Sequence, residues 1–184
     1  LLHQYQTLLG TLLGSSKIEI SDDGYHLAMR STDPYWLRSK VHDLEIGGQF
    51  FERGQFYYWR SAPSKVLKEA HAFCYEGKKK VVSMEWLDML RDIGIAVWYG
   101  DVGCLVGRAK GNACLRTQAF GEDNQLICQY FNEVGIPCNI NKVRGKPVIV
   151  FAVDGTHILM NLVAPVLPLN RYHLVPELVC RKRA

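Results

Sequence analysis

The sequence predicts an α+β fold assembled by internal duplication, and two observations predict it. In the stretch Gly94-Ile95-Ala96-Val97-Trp98-Tyr99-Gly100-Asp101-Val102-Gly103, small residues alternate with bulky ones. A second helix can then approach closely at Gly94, Ala96 and Gly100, while the large side chains fill cores on either side. A partner of the same kind lies at Leu8-Leu9-Gly10-Thr11-Leu12-Leu13-Gly14-Ser15-Ser16, again apolar, again with glycines, and again followed by an alternating strand pattern. The second observation is a constant offset: Val102 follows Ser15 by 87 residues and Gly135 follows Gly47 by 88. That period is too long for a solenoid. It predicts one unit of two halves, 1–80 and 81–184, each reading αββαββα.

The elements follow in order. Residues 1–13 form the first of the paired helices, and Lys17-Ile18-Glu19-Ile20 alternates with period two, as a half-buried strand does. Ser21-Asp22-Asp23-Gly24 turns the chain into the strand 25–31. Asp33 followed by Pro34 then announces a helix to Leu44, with Gly47-Gly48 as its stop. The aromatic hairpin 50–52 and 56–60 turns at Gly54, and a helix runs from Ser64 to Tyr75. Residues 76–80 are a hinge, and 84–90 lead into the second central helix. The second half repeats the plan with strands 104–108 and 113–118, a helix 122–134, strands 139–143 and 148–153, and a last helix from Thr156 to before Pro165.

These residues carry a resemblance. The second stretch resembles the "WYMDDG" form of the LAGLIDADG motif, and the first is similar to the "GTLLGDGS" form that opens such proteins; the family is that of the LAGLIDADG homing endonucleases and their maturase relatives. The resemblance covers about Leu8 to Leu174. It implies two αββαββα halves around the paired motif helices, with a saddle-shaped antiparallel sheet in each half presented to nucleic acid. Family catalysis uses one acidic residue before the final glycine of each motif to hold divalent metal over the scissile phosphates. Here those positions are Ser15 and Val102. Asp101 aligns with the earlier acidic position, which the family uses structurally, and it is the one residual candidate for a catalytic or metal-binding carboxylate. Hard cations such as Mg2+ take oxygen ligands; serine offers a weak neutral one and valine none. The expectation is a nucleic-acid-binding relative that has lost cleavage.

Composition sets outer bounds. With 48% hydrophobic and 22% charged residues over 184 positions the chain can bury a sizeable core. A formal net charge of +4 permits polyanion binding without demanding it, since clustering on one face is what counts. No apolar run approaches the roughly 20 residues of a membrane span. The six cysteines, Cys74, Cys104, Cys114, Cys128, Cys138 and Cys180, form no CxxC pair and no zinc spacing. They read as reduced thiols, which points to an intracellular, reducing compartment, cytoplasm or organelle. The missing initial Met points to a trimmed start or to a domain of a longer chain.

The expected nucleic-acid contacts are Lys17 and Arg30 in the first half, Arg108, Lys110, Arg116 and Gln118 in the second, and the hinge lysines Lys78, Lys79 and Lys80. Glu19 and His26 share the alternating face of the first half. Six aromatics, Phe50, Phe51, Phe56, Tyr57, Tyr58 and Trp59, occupy both parities of one hairpin, so half belong to the core and the remainder could stack on unpaired bases. Three readings follow. The first is a maturase-like factor that binds intron RNA or duplex DNA without cutting it, a monomer by internal duplication. The second is an active or nicking endonuclease that uses Mg2+ through Asp101 or another, unrecognised carboxylate, and the third a scaffold subunit of a larger assembly.

Overall fold

The computed structural model describes residues 2–106, 111–143 and 145–176. The first half runs α1 (Leu2–Leu13), β1 (Lys17–Ser21), β2 (Gly24–Ser31), α2 (Pro34–Leu44), β3 (Gly48–Arg53), β4 (Phe56–Ser61) and α3 (Lys65–Cys74). A short ribbon, β5 (Tyr75–Glu76) with β6 (Lys79–Lys80), and the helix α4 (Met84–Asp88) lead across. The second half repeats the order as α5 (Asp92–Val102), β7 (Gly103–Val106), β8 (Asn112–Leu115), α6 (Asn124–Glu133), β9 (Cys138–Val143), β10 (Lys146–Phe151) and α7 (Val153–Val163). Two four-stranded sheets result, in the orders β1-β2-β4-β3 and β7-β8-β10-β9, antiparallel throughout. Among the described residues no helix is long and apolar enough to cross a membrane.

Local chemistry explains the boundaries. Asp33 caps α2 by accepting from the backbone N–H of Tyr35 and Trp36, and Pro34 sits in the first turn where no amide proton is needed. Ser83 caps α4 through Trp86. The stop after α2 falls earlier than Gly47: Glu45 itself adopts the left-handed conformation, at φ 52°, and its side chain accepts from Gln4 of α1. Gly135, at φ 79°, ends α6 as expected.

The core lies between the sheets and the central pair α1 and α5. Leu8, Leu9, Leu12 and Leu13 of α1 and Ile95, Val97, Trp98 and Tyr99 of α5 are buried with Leu27 and Trp59 of one sheet and Ile149 and Phe151 of the other. Trp98 stacks on Phe131, centroids 5.7 Å apart, and Phe131 meets Phe151 edge-on. Side chains of this size contribute about 1.5–3 kcal/mol each when fully buried. The two central helices touch backbone to backbone: a Cβ at Gly10 would fall on the carbonyl of Gly94, and one at Gly14 on the side chain of Asp101.

Several expectations are corrected. Gly100 is not at the helix–helix contact; a Cβ there would meet Trp36 of α2 and Leu167. The reason is the helical period: residues 94, 97 and 101 share one face, and residue 100 is turned a quarter-turn from it. Residues 76–80 are no loose hinge, because Tyr75 pairs with Lys80 and Glu76 with Lys79 around Gly77 at φ 61°. β8 stops at Leu115 rather than 118; Arg116 instead donates its backbone N–H to Val102, and Gln118 opens a 3₁₀ turn latched by Thr117 and Asn124. The thiols are not all free. Cys104 and Cys114 stand directly opposite across β7 and β8, Cα atoms 5.1 Å apart, and form a disulfide. Antiparallel pairing sets up that distance, and ten residues of hairpin hide it from any CxxC search. Cys74 and Cys138 are buried thiols, and burial pushes Cys74 up to about 12. Arg108, Lys110 and Cys180 lie outside the described residues.

Candidate nucleic-acid interface

The two motif helices end side by side, and their last turns define the centre of the candidate site. Ser15 follows α1 and is exposed, and Val102, half-buried, closes α5. Asp101 points the other way, into the protein. Its Oδ1 accepts from Trp36 Nε1 at 2.7 Å and from Lys40 Nζ at 2.6 Å, and Oδ2 accepts from the same ammonium at 2.8 Å. Both charged side chains are only 3% exposed. Trp36 and Lys40 come from one face of α2, four residues apart, and Gly14 leaves the space the carboxylate fills. A buried carboxylate held this way has its charge answered within the protein.

A second cation closes the end of α1. Lys80, on β6, donates to the carbonyl of Leu12 at 2.5 Å, one of the acceptors a helix C-terminus leaves unpaired, and to that of Ser16, in the turn beyond the helix, at 2.7 Å. Burial lowers its ammonium to about 8, against weaker raising effects from Cys74 and Asp101. At the end of α5, Arg116 is exposed and its Nε approaches the Val102 carbonyl at 3.4 Å. The donor set at the centre is a serine hydroxyl, a valine and a carboxylate already bound to an ammonium, which does not match the oxygen-rich coordination Mg2+ requires. Among the described residues no group of three or more His, Cys, Asp and Glu is placed to hold a metal.

The face of the first sheet turned away from the helices is set by register. Lys17 pairs with Ala28 and Ala28 with Arg60; Arg30 pairs with Tyr58 and Tyr58 with Phe51. Each row crosses the sheet with one parity, as the period-two alternation demands. Between them lies an open concavity of about 490 Å³ that reaches from Ser15 to Phe51. Glu19 sits on its edge, 2.9 Å from Lys17 and 3.5 Å from Arg60. Its carboxyl is lowered chiefly by the Lys17 hydrogen bond, with desolvation opposing. His26 is on this face yet buried, its ring nitrogens held by Asp23 at 2.9 Å and the Ser61 carbonyl at 2.8 Å.

The structure therefore gathers Lys17 and Arg30 on one face, with Ser15 at its end. Lys78 and Lys79 are exposed on the ribbon, Lys80 is turned inward as a helix cap, and Gln118 is off the sheet. Sequence reasoning passed over Arg60, Lys40 and Trp36. Arg60 was legible as the alternate of Tyr58, and the Trp36–Lys40 spacing marks a shared helical face, but nothing in the sequence says what that face meets.

The fold has counterparts in known proteins. Residues 5–159 match the LAGLIDADG DNA endonuclease family. The chain belongs to that family. Among solved structures, the homing endonuclease I-WcaI bound to its DNA recognition sequence superposes with a TM-score of 0.82 at 19% identity, covering 95% of this chain and 86% of that one. I-DmoI in complex with DNA and Mn gives 0.58 at 11% identity, over 88% of this chain and 96% of that one. The N-terminal LAGLIDADG domain of WhiA gives 0.57 at 10%, over 95% and 87%. In sequence, this LAGLIDADG chain is 28% identical over 203 residues to Protein RecA of Mycobacterium gastri and 24% over 198 to that of Mycolicibacterium flavescens. Each alignment covers 95% of this chain and 47% of the relative, so the chain spans about half the length of the curated relatives it matches.

Proposed function

We propose that this LAGLIDADG protein binds nucleic acid through the exposed face of its first sheet and does not cleave it, acting as an intron-splicing factor of the maturase kind. The observation that carries the reading is the closed state of Asp101. With Ser15 and Val102 at the two motif ends, Asp101 is the remaining carboxylate at the centre, and it is spent on Lys40 and Trp36. Phosphate contacts need no metal, because lysine and arginine neutralise the backbone directly. Lys17, Arg30 and Arg60 on the sheet, with Lys78 and Lys79 on the ribbon, supply those charges.

The resemblance to a DNA-bound homing endonuclease favours a second reading, an enzyme in which Asp101 still recruits the metal. One experiment separates the two. Gel retardation on duplex DNA and intron RNA in parallel, with and without Mg2+, is expected to show retention that is indifferent to the metal and no new strand ends. Mg2+-dependent scission that disappears in Asp101→Asn would instead establish the endonuclease.

A further inference from the structure

The hairpin β3–β4 carries more aromatic surface than a core requires, and the fold sorts it. Phe50, Tyr57 and Trp59 take the parity of the helices, with Trp59 fully buried. Phe51, Phe56 and Tyr58 take the other. Phe51 and Tyr58 are directly paired across the two strands, their rings parallel within 4° and 5.1 Å apart. Phe56 meets Tyr58 edge-on at 6.4 Å, and the Arg30 guanidinium lies 5.2 Å from the centroid of Phe56. Phe51 is 51% exposed at the rim of the sheet. A phenylalanine held at that exposure, with one face packed and the other open, gains little from folding by itself.

The floor beside this cluster is Ala28. Its small side chain sits between Lys17 and Arg60 in the neighbouring row, and so opens the concavity of about 490 Å³ that ends at Ser15. That volume falls within the range of small-molecule sites. One wall is aromatic, and the other carries Lys17 and Arg60 with Glu19 between them, which leaves a net positive charge. Duplex DNA offers little to such a wall, since base edges in a groove are read by hydrogen-bonding groups and only the thymine methyl invites apolar contact. A base taken out of its helix presents a π-face, and every base has one.

The corresponding face of the second sheet lacks this chemistry. Register places Cys104 with Cys114, Cys114 with Val150, Val150 with Asn139 and Val148 with Asn141. Among the described residues its four strands bear no aromatic ring on that face and one cation, Lys146, at the tip of the β9–β10 hairpin, with the exposed Arg116 just beyond the end of β8.

We propose that the Phe51–Tyr58–Arg30 row and the concavity beside it form a pocket for an unpaired nucleobase, so that this chain prefers nucleic acid with a single-stranded or bulged nucleotide over a continuous duplex. The base stacks on the face of Phe51 turned away from Tyr58, at the open edge of β3, a flanking phosphate meets Arg60, and the strand then crosses the concavity past Lys17 toward Ser15. The proposal rests on the nucleic-acid-binding reading above and specifies its ligand. The shared chemistry is a π-stacked base on a polyanionic backbone, which RNA and DNA both supply.

The test uses the full chain and oligonucleotides carrying 2-aminopurine, whose emission falls when it stacks. Four probes are compared: a duplex with a single bulged 2-aminopurine, the same duplex fully paired, and the single strand as DNA and as RNA. Wild-type protein is expected to bind the bulged and single-stranded probes more tightly than the paired one and to quench their emission. Phe51→Ala weakens those probes roughly 5- to 150-fold and abolishes quenching, while the paired duplex is barely affected. Phe51→Trp keeps both effects, which separates stacking from loss of fold. Tighter binding of the RNA strand than of the DNA strand would assign the source to RNA, and equal binding would place the contact on the base alone. Equal affinity for bulged and paired probes, with unaltered emission, overturns the proposal and leaves nucleic-acid binding standing. Failure to retain any of the four overturns both.

Discussion

Two lysines near the motif ends have opposite energetics. Lys40 answers a buried carboxylate, so removing it strands a charge in the interior. Lys40→Met is expected to lower the unfolding free energy by about 3–5 kcal/mol in a urea titration, and Asp101→Asn added to it should recover most of that loss. A cost below about 1 kcal/mol for the single change would mean that Asp101 is solvated after all. Lys80 is a cation kept in a poor place for one. Its folded value, about 8, lies below the unfolded 10.5, so the unfolded chain binds more protons between those limits and stability rises with pH across that window. The unfolding free energy of wild type minus that of Lys80→Met should therefore increase by about 2–3 kcal/mol from pH 7 to pH 10.5. A flat difference would show that the ammonium is not desolvated. The two carbonyls it caps explain why so costly a charge is retained there.

At the scale of elements, the α1–α5 contact is where the chain is least tolerant of bulk. Gly10→Ala places a methyl on the Gly94 carbonyl and forces the helices apart, at about 1–3 kcal/mol for the overpacking itself. A thermal midpoint within one degree of wild type would remove this contact from the account. Gly100→Leu should also destabilise, through Trp36 rather than through α1, and with it the Trp36 hydrogen bond to Asp101. That distinction shows what the sequence disclosed and what it withheld. Alternation located the strands, and glycine and capping residues located the helices, because those signals are local, though they missed the end of β8 and the stop of α2 at Glu45, before Gly47. The same locality made the pairing of α1 with α5 legible from two similar stretches. Which glycine faces which helix depends on rotation about the axis, and the β5–β6 ribbon and the Cys104–Cys114 bond depend on pairing across a turn. The closure of Asp101 by α2 needs residues 61 and 65 positions apart. None of these leaves a mark on neighbouring residues.

The whole molecule is a duplication whose halves have kept one backbone plan and diverged in surface chemistry. Equivalent rows carry Lys17, Ala28 and Arg60 on one sheet and Cys104, Cys114 and Val150 on the other. Among the described residues, a polyanion lying across both would find more cations on the outer face of the first sheet, which carries Lys17, Arg30 and Arg60, than on that of the second, which carries Lys146 with Arg116 just beyond β8. Each phosphate neutralised adds roughly 0.9 to the magnitude of the logarithmic salt slope on duplex DNA and about 0.7 on a single strand. If the first sheet carries the contacts, alanine at both Arg30 and Arg60 should reduce that magnitude by about 1.4 on single strands, whereas Lys146→Ala, on the second sheet, should leave it nearly unchanged. Both proteins must be titrated over the same salt range, because affinity at one salt concentration mixes the electrostatic contribution with stacking. A slope that drops equally for the two variants would mean the second sheet binds as strongly as the first. The asymmetry would then lie in what each half reads rather than in which half holds the strand.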